Sequence, residues 1–409
     1  MTQSAHHIPT LQTTPEHSPT AILAGLGNHP KQTPLQILQT HTTPSSDPNP
    51  LTTLQSLLNH HPNNHWLLTL SYNLAPTIET SVPASPSTFP HIIAQRCTPI
   101  PTPHPQPTHT APWSIDPTKL NIIPKSNYTE MVNKALAYIA AGDIYQVNLT
   151  HPITLPFQGS SQSLANHLFN ATNPAQGSYT VFDEDQTRHA IISLSPETFL
   201  TYNPKTNTLT TEPMKGTSPA ATNPNDLYNN PKDRAELNMI IDLMRNDLAK
   251  ISTPASVKVT NPRQITTHHN SVHQATATIQ STLRNNTNLT QILQATFPPG
   301  SITGAPKVRA MQIINQLEST THHTPRSPYC GSTIALSPNG SFNASVNIRT
   351  LHIQGTPSES SPDAFKNATL TYHTGAGIVA DSNPEQEWQE TLTKAAILES
   401  TLNITLPIH

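Results

Sequence analysis

The clearest pattern along the chain is a helical spacing of apolar residues followed by a strand-like alternation. Apolar residues recur three or four positions apart before residue 140, which predicts one face of an amphipathic helix. They are Met131, Ala135, Leu136 and Ile139. Gly142 comes next and is typical of a residue that ends a helix. Residues 145–149 (YQVNL) then alternate, which predicts a half-buried strand with Gln146 and Asn148 on one face.

Later segments show the same helical periodicity. A helical pattern begins at Pro231 and runs through Lys250. Its apolar stripe consists of Ile240, Leu243, Met244 and the following Ile251. A second amphipathic helix is predicted after residue 304. Its apolar face consists of Val308, Met311, Ile314 and Leu317. The last helix begins near Asn383 and Pro384, because proline suits the first helical turn and the acidic residues after it suit the positive end of the helix dipole.

Other signals are local. Residues 51–58 have a helix-like pattern, whereas residues 66–72 and 190–194 have strand-like ones. The proline-rich segment 99–112 predicts an extended linker, because repeated prolines exclude helix and central strand. The Ser/Pro-rich segment 354–367 predicts a loop.

Composition narrows the classes of function. The chain has 409 residues, of which 34% are hydrophobic and 11% are charged, and its 21 basic and 24 acidic residues give a net charge of -3. This balance argues against a nucleic-acid partner, and no apolar stretch is long enough for a membrane span. Two cysteines and no signal-peptide pattern favour a cytoplasmic setting. The 22 histidines lack zinc-site spacing, so we interpret them as compositional bias.

The few charged residues are concentrated in two places. One is the segment 212–250, and the other is the final helix, where charged residues recur at spacings of three and four. They are Glu387, Glu390 and Lys394. Small-residue turns at 300–307 and 375–382 would let backbone N–H groups approach an anionic ligand. Together these features indicate an anionic substrate and a divalent cation such as Mg²⁺. Taken singly, they also fit a solvated helix face and structural turns.

These segments resemble the motifs of the chorismate-utilising enzymes, and they occur in that family's order. The matching segments are 142–149 (GDIYQVNL), 195–197 (SPE), 213–217 (PMKGT), 233–236 (DRAE), 242–247 (DLMRND), 300–307 (GSITGAPK), 329–332 (YCGS), 348–350 (IRT) and 375–394. The match covers about residues 125–400. It implies an α+β fold like that of aminodeoxychorismate synthase, with packed antiparallel β-sheets flanked by helices.

The resemblance also implies a set of site residues. The residues that match the family's metal-binding positions for Mg²⁺ are Glu236, Glu387 and Glu390. The residues that match its substrate-binding positions are Gln146, Thr217, Tyr329, Arg349, Gly375, Ala376, Gly377 and Lys394. The catalytic matches are Lys215 as nucleophile, Glu197 as general acid and His273 as an active-site histidine. For His273, a hydrogen-bonded histidine of the core is the alternative.

Two positions separate the reactions of the family. Members that hydroxylate chorismate carry a lysine base where this chain has Gln146, and an amide cannot act as that base. Lys215 is typical of component I of the aminodeoxychorismate synthases, which aminate chorismate at C4 with ammonia from a glutamine amidotransferase subunit. We therefore expect synthesis of 4-amino-4-deoxychorismate in the folate branch. The alternatives are component I of anthranilate synthase, in the tryptophan branch, and a non-catalytic chorismate-binding regulatory subunit.

The resemblance divides the chain unequally. Residues 1–115 match the family weakly, and we expect them to form a divergent N-terminal region that packs on the same fold. Residues 116–409 are predicted to form the chorismate-binding catalytic domain.

Overall fold

Antiparallel strands and the helices that cover them form the part of the chain described by the computed structural model, residues 20–24, 33–99, 111–219, 221–268 and 272–406. The strands are β1 (Thr20–Ala24), β2 (Thr33–Thr43), β3 (His65–Leu70), β4 (Ile92–Pro99), β5 (Trp113–Ile115), β6 (Asn121–Ile122), β7 (Gln146–Ser160), β8 (Gln176–Glu184), β9 (Thr187–Ser195), β10 (Thr198–Asn203), β11 (Thr208–Glu212), β12 (Met214–Pro219), β13 (Lys258–His268), β14 (Val272–Thr282), β15 (Gly304–Ala305), β16 (Ser332–Leu336), β17 (Phe342–Val346), β18 (Thr350–Pro357) and β19 (Ala364–Ile378). The α-helices are α1 (Pro50–His60), α2 (Ala75–Ile78), α3 (Lys125–Ala140), α4 (Ser161–Thr172), α5 (Pro224–Asn229), α6 (Pro231–Ala249), α7 (Leu289–Thr296), α8 (Lys307–Thr321) and α9 (Pro384–Leu402).

The strands pair into one continuous hydrogen-bonded network. Beginning with β7, which also pairs with β5, β6 and β15, the order is β7, β19, β18, β9, β8, β1, β2, β4 and β3. It continues through β16, β17, β10, β11 and β14, and β14 also pairs with β12 and β13. Every one of these pairings is antiparallel. The N-terminal strands β1–β4 thus lie in the middle of the network, whereas β7 and β12 lie near its two ends.

Helices bury their apolar faces on both ends of this network. Leu237, Ile240 and Met244 of α6 belong to a core that also contains Ala275 of β14. Helices α3, α8 and α9 share a second core with the beginning of β7 and the end of β19. A third core lies between α4, α9 and the strands β8, β9, β18 and β19. The packing therefore places α6 over one end of the network and α9 over the other.

The ends of the two acidic helices are fixed by side-chain caps. The Asn230 side chain accepts hydrogen bonds from the backbone N–H groups of Lys232 and Asp233 at the beginning of α6. Asn383 caps α9 in the same way, and a proline follows each cap at the first helical position. Such caps satisfy N–H groups that have no partner within the helix. They set the positions from which Glu236 and the α9 carboxylates project.

Several sequence predictions are confirmed. The α+β fold of antiparallel sheets and helices is as expected. Residues 51–58 lie in α1, residues 66–70 lie in β3, and the helices predicted near Met131, Pro231 and Pro384 are α3, α6 and α9. Within the described residues, no helix is both long and apolar enough to cross a membrane.

Three local predictions are wrong. Residues 354–367 are not one loop, because β18 continues to Pro357 and β19 begins at Ala364. The turn predicted for 375–382 begins only after Ile378, since the glycines before it lie in β19. Val308 is exposed rather than part of the apolar face of α8. In the first two cases, pairing with distant strands overrides a local composition that is typical of loops and turns.

Part of the predicted linker lies outside the described residues. The proline-rich segment 99–112 includes residues 100–110, which the structure does not describe, between the end of β4 and the beginning of β5. The division of the chain at residue 115 stays a prediction.

A buried ion pair joins α8 to β7. Arg326 donates to both carboxylate oxygens of Glu318, to Asn148 O at 2.7 Å and to Ile302 O at 3.1 Å. Its guanidinium lies 4.7 Å from the centre of the Tyr72 ring. Every charged oxygen and nitrogen of the pair is thus directed to a partner, as a buried pair requires.

We expect Arg326→Met to lower the free energy of unfolding by about 3–5 kcal/mol, because Glu318 would remain buried without its partner. The control is Arg245→Met, which removes the exposed ion pair with Asp242 and should cost less than about 1 kcal/mol. Urea denaturation of both variants measures the difference. Equal losses would show that the buried pair is not a structural anchor.

Candidate active site

Side chains from the two ends of the strand network meet at Gly377 of β19. A Cβ atom placed on Gly377 would lie 3.1 Å from Gln146 Nε2 and 3.1 Å from Lys215 Nζ. Gln146 begins β7, which pairs with β19, whereas Lys215 lies in β12 at the other end. Because glycine has no side chain, the amide and the amine can both approach its backbone. We call the space around these three residues the cleft.

Gln146 offers hydrogen-bonding atoms that no described residue uses. The residue is fully buried, yet neither Nε2 nor Oε1 has a partner among the described residues. Buried polar atoms are usually paired, because an unpaired one has lost its water without replacement. The unpaired amide therefore favours a polar ligand that binds beside it.

A β-bulge directs Lys215. The pairing of β12 with β14 shifts register between Met214 and Thr217, so the bulged strand has one extra residue. Gly216 adopts a φ of 86°, and a Cβ atom there would lie 3.0 Å from Asp233 Oδ1 of α6. Only glycine fits both the backbone angle and this close approach. Bulges of this kind change the direction of a side chain beside a functional site.

Burial and the neighbouring charged residues change the pKa of Lys215 in different directions. Burial is the largest influence and lowers the pKa of the Lys215 amine below its ordinary value. Glu236, Glu197 and Glu390 favour the charged amine, whereas Lys394 disfavours it. The net direction is downward, so a larger fraction of Lys215 is neutral near pH 7 than of an exposed lysine. A neutral amine is the form that can attack carbon.

Glu197 is a buried carboxyl beside this amine. Burial raises its pKa to about 7, although a hydrogen bond from Ser301 and the charge of Lys215 both act in the opposite direction. The residue follows β9 and is only 4% exposed. At neutral pH, the protonated and ionised forms are therefore both populated. A carboxyl of this kind can donate and accept a proton in one reaction cycle.

Carboxylates of α6 and α9 line the other side of the cleft. Glu390 pairs with Lys394 at 2.6 Å, and Lys394 Nζ also donates to Gly375 O at 3.0 Å. Glu387 accepts a hydrogen bond from Ser382 through Oε1, whereas its buried Oε2 has no partner in the described part of the chain. Burial raises the pKa of both Glu236 and Glu387, and the nearby charge of Glu390 adds to the effect.

This donor set fits a hard cation. The unpaired Glu387 oxygen and the repulsion among the three carboxylates would both be relieved by a bound Mg²⁺, which prefers oxygen ligands. Among the described residues, no three side chains of His, Cys, Asp or Glu are arranged to hold a metal by themselves. Mg²⁺ commonly takes one or two protein carboxylates and completes its shell with water and ligand oxygens. We therefore keep Glu236, Glu387 and Glu390 as candidate ligands.

Tyr329 and Arg349 lie on irregular backbone at the ends of neighbouring strands. Arg349 has a φ of 49°, and Cys330, next to Tyr329, has a φ of 62°. Such angles are uncommon for residues other than glycine and often occur at functional sites. Arg349 is partly buried, and its guanidinium forms neither an ion pair nor a hydrogen bond with any residue that the structure describes. It is therefore available to bind an anionic group.

Arg349 is also connected to the α9 side of the cleft. Burial raises the pKa of the Tyr372 phenol to about 12, and the nearby positive charge of Arg349 acts in the opposite direction. The Tyr372 hydroxyl donates to Lys394 O at 3.2 Å. Tyr329 is buried and stacks on His373, with ring centres 5.3 Å apart.

Two predicted residues are placed differently. Thr217 is exposed on β12. His273 is buried, with Nδ1 2.9 Å from Thr267 Oγ1 and Nε2 3.0 Å from Thr222 O. Proton transfer by His273 would require one of these contacts to break. The geometry favours the alternative of a hydrogen-bonded core histidine, and the catalytic role of His273 stays a prediction.

Two polar residues that the sequence analysis did not assign to the site, Ser301 and Gln274, lie beside residues that it did assign. Ser301 donates a hydrogen bond to Glu197 and lies in the motif 300–307, so its place in that motif was an available signal. Gln274 points to the opposite face of β14 from His273, because successive strand residues alternate. It lies opposite Thr217, and its buried Oε1 has no partner among the described residues.

The chain has an α+β fold, and its cleft holds a buried carboxyl and an amine whose pKa is lowered by burial. The sequence family described as chorismate binding enzyme matches residues 11–400. The chain therefore belongs to the chorismate binding enzyme family.

Similar proteins come from two branches of this family. Aminodeoxychorismate synthase component 1 of Salmonella typhimurium is 37% identical over 295 residues, which cover 70% of this chain and 60% of that protein. Anthranilate synthase component 1 of Aquifex aeolicus is 33% identical over 287 residues, which cover 68% of this chain and 53% of that protein. The chain thus spans little more than half the length of these relatives.

A solved structure supports the same fold. Anthranilate synthase component I from Streptococcus pneumoniae aligns with a TM-score of 0.69 over 96% of this chain and 94% of that chain. The identity is 22%, so the likeness concerns the fold alone.

We expect Glu197 to titrate with a pKa of about 7 and Ser301→Ala to raise that value further. The hydroxyl donates to the carboxylate, so its removal disfavours the ionised form. Carbon-13 NMR titration, with Glu197→Gln to assign the signal, measures the change. Ser337→Ala, in the turn after β16, is the control and should leave the value unchanged. A Glu197 pKa near 4 would contradict the buried environment described here.

Proposed function

We propose that this chain aminates chorismate at C4 to form 4-amino-4-deoxychorismate. The observation that carries the proposal is the place of Lys215, whose amine meets Gln146 at Gly377 and whose pKa is lowered by burial. The similarity to aminodeoxychorismate synthase component 1 of Salmonella typhimurium supports the same branch. Gln146 disfavours a hydroxylating reaction, because a neutral amide cannot remove a proton from water.

The first step would use Lys215 as a nucleophile. Its neutral amine attacks the ring carbon beside the ring carboxylate, and the ring double bonds shift towards C4. The C4 hydroxyl takes a proton from Glu197 and leaves as water. The new ammonium nitrogen of Lys215 then passes one proton to Glu197, which restores the protonated acid. The lowered pKa of Lys215 and the raised pKa of Glu197 provide the neutral amine and the protonated acid that this step requires.

The second step would return Lys215 to its first state. Ammonia attacks C4, the double bonds shift back, and the bond from the ring to the lysine nitrogen breaks. The departing nitrogen takes up one proton, and the new ammonium group on the ring releases one. The sum is chorismate and ammonia in, aminodeoxychorismate and water out, with no oxidant or reductant.

Charged groups around the ring would bind the substrate. We assign Arg349 and Tyr329 to the enolpyruvyl carboxylate, because the guanidinium has no partner among the described residues and can form two parallel hydrogen bonds. Lys394 and the backbone at Gly375, Ala376 and Gly377 would face the second anionic group. Mg²⁺, when held by Glu236, Glu387 and Glu390, would neutralise charge on the ring carboxylate.

A second subunit would supply the ammonia. The relatives are named component 1, which implies another component. We assign to that partner the release of ammonia from glutamine.

The test of the proposal is product analysis with Lys215→Ala. Purified protein, chorismate, Mg²⁺ and a high ammonium concentration are incubated at mildly basic pH, and a lyase converts any aminodeoxychorismate to 4-aminobenzoate. The native chain should yield 4-aminobenzoate only with the lyase. Lys215→Ala should reduce the rate by more than about a hundredfold, because the nucleophile is lost, and leave chorismate binding intact.

Lys205→Ala is the matched control, because Lys205 is exposed in the turn between β10 and β11. It should retain full activity. Fluorescent anthranilate formed without the lyase would contradict the proposal and favour the anthranilate synthase reaction. Unchanged amination by Lys215→Ala would contradict the covalent step alone.

We expect Glu236→Gln to weaken Mg²⁺ binding by about tenfold or more, because an amide oxygen carries no charge for the cation. Glu385→Gln, which changes an exposed carboxylate at the beginning of α9, should have little effect. Isothermal titration with MgCl₂ in the presence of chorismate measures both affinities. Equal affinities for the two variants would exclude Glu236 as a ligand.

A further inference from the structure

A second cavity lies outside the cleft, between segment 72–86 and α8. Its volume is about 190 Å³, and none of its lining residues belongs to the cleft around Gly377. Cavities for drug-sized ligands measure roughly 300–1,000 Å³, so this one suits a molecule of about one ring. Most of its wall is apolar and includes Val82, Met311 and Ile314.

Two polar groups in this wall lack partners. Asn73 is 8% exposed, and its Nδ2 is buried without a hydrogen-bond partner within the described ranges. Its Oδ1 also accepts no hydrogen bond from the residues that the structure describes. The hydroxyl of the preceding residue, Tyr72, is buried and likewise has no partner among these residues. An unpaired amide presents a donor and an acceptor side by side, and it binds best to a group that presents the reverse pair.

The charged residues of the wall already neutralise each other. Arg326 and Glu318 line the cavity and form a buried ion pair at 2.7 Å. A charged ligand would lose its water and meet no free counter-charge, which is unfavourable. The occupant should therefore be neutral.

We propose that this cavity is a second binding site, which takes a small neutral molecule with a flat apolar body and an amide-like edge. The edge hydrogen-bonds to Asn73, and the body packs on Val82, Met311 and Ile314. Tyr72 supplies a further hydroxyl. The site is independent of the reaction proposed for Lys215.

Benzamide is the probe, and ligand-observed NMR of the full chain measures its binding. Native protein should bind benzamide, and benzoate should bind at least about tenfold more weakly because its charge has no partner. Asn73→Leu should weaken benzamide binding by about tenfold or more, because it removes both hydrogen bonds. Asn63→Leu, an exposed change between α1 and β3, is the control and should bind as the native chain does.

Competition separates this cavity from the cleft. Saturating chorismate should leave benzamide bound, and displacement would overturn the proposal. Absence of benzamide binding to the native chain, or equal binding by Asn73→Leu, would also overturn it. If Asn73→Leu does not fold, Tyr72→Phe replaces it, since that variant keeps the ring beside Arg326 and loses only the hydroxyl. A reduced affinity of Tyr72→Phe would then support the site, and an unchanged affinity would contradict it.

Discussion

The cleft depends on one physical constraint: the ionisable groups of Lys215 and Glu197 are buried away from water. Lys215 and Glu197 are both shifted by burial toward their neutral forms, and each also acts on the other as an opposite charge. The balance requires that water stays out and that the surrounding charges stay in place. The long antiparallel network provides this rigidity, because its two ends are brought together at Gly377 and each is covered by a packed helix. The pKa values of Lys215 and Glu197 therefore depend on the packing of the whole fold.

The helices were largely predictable from local sequence, whereas the long strands were not. The 3.6-residue spacing in α3 and the Asn-Pro beginnings of α6 and α9 are signals contained in single segments. Strand β7 showed its alternation only over residues 145–149, because Pro152 and Pro156 interrupt the pattern further along. It extends to Ser160 because β19 pairs with it along that length. Such pairing is formed by residues more than two hundred positions away, so no local pattern contains it.

The candidate site was predictable where its residues occur in motifs. Lys215, Gln146 and Gly377 come from three separate motifs, and the structure brings them to one point. The sequence could not show that the Gln146 amide lacks hydrogen-bond partners among the described residues or that His273 has two, because partners depend on the fold. Asn73 gave no signal for the same reason. It is a single polar residue in a region that matches the family weakly, and only its place in the cavity wall indicates a binding role.

The bulge at Gly216 has a consequence for the evolution of the family. A bulged position lies outside the regular ladder, so neighbouring strands do not depend on which side chain it carries. Position 215 can therefore exchange an amine for a small apolar group while the sheet retains its register. New chemistry can arise there by single substitutions, with little penalty in foldability. A scaffold with such a variable position can diverge into enzymes that share a substrate and differ in product.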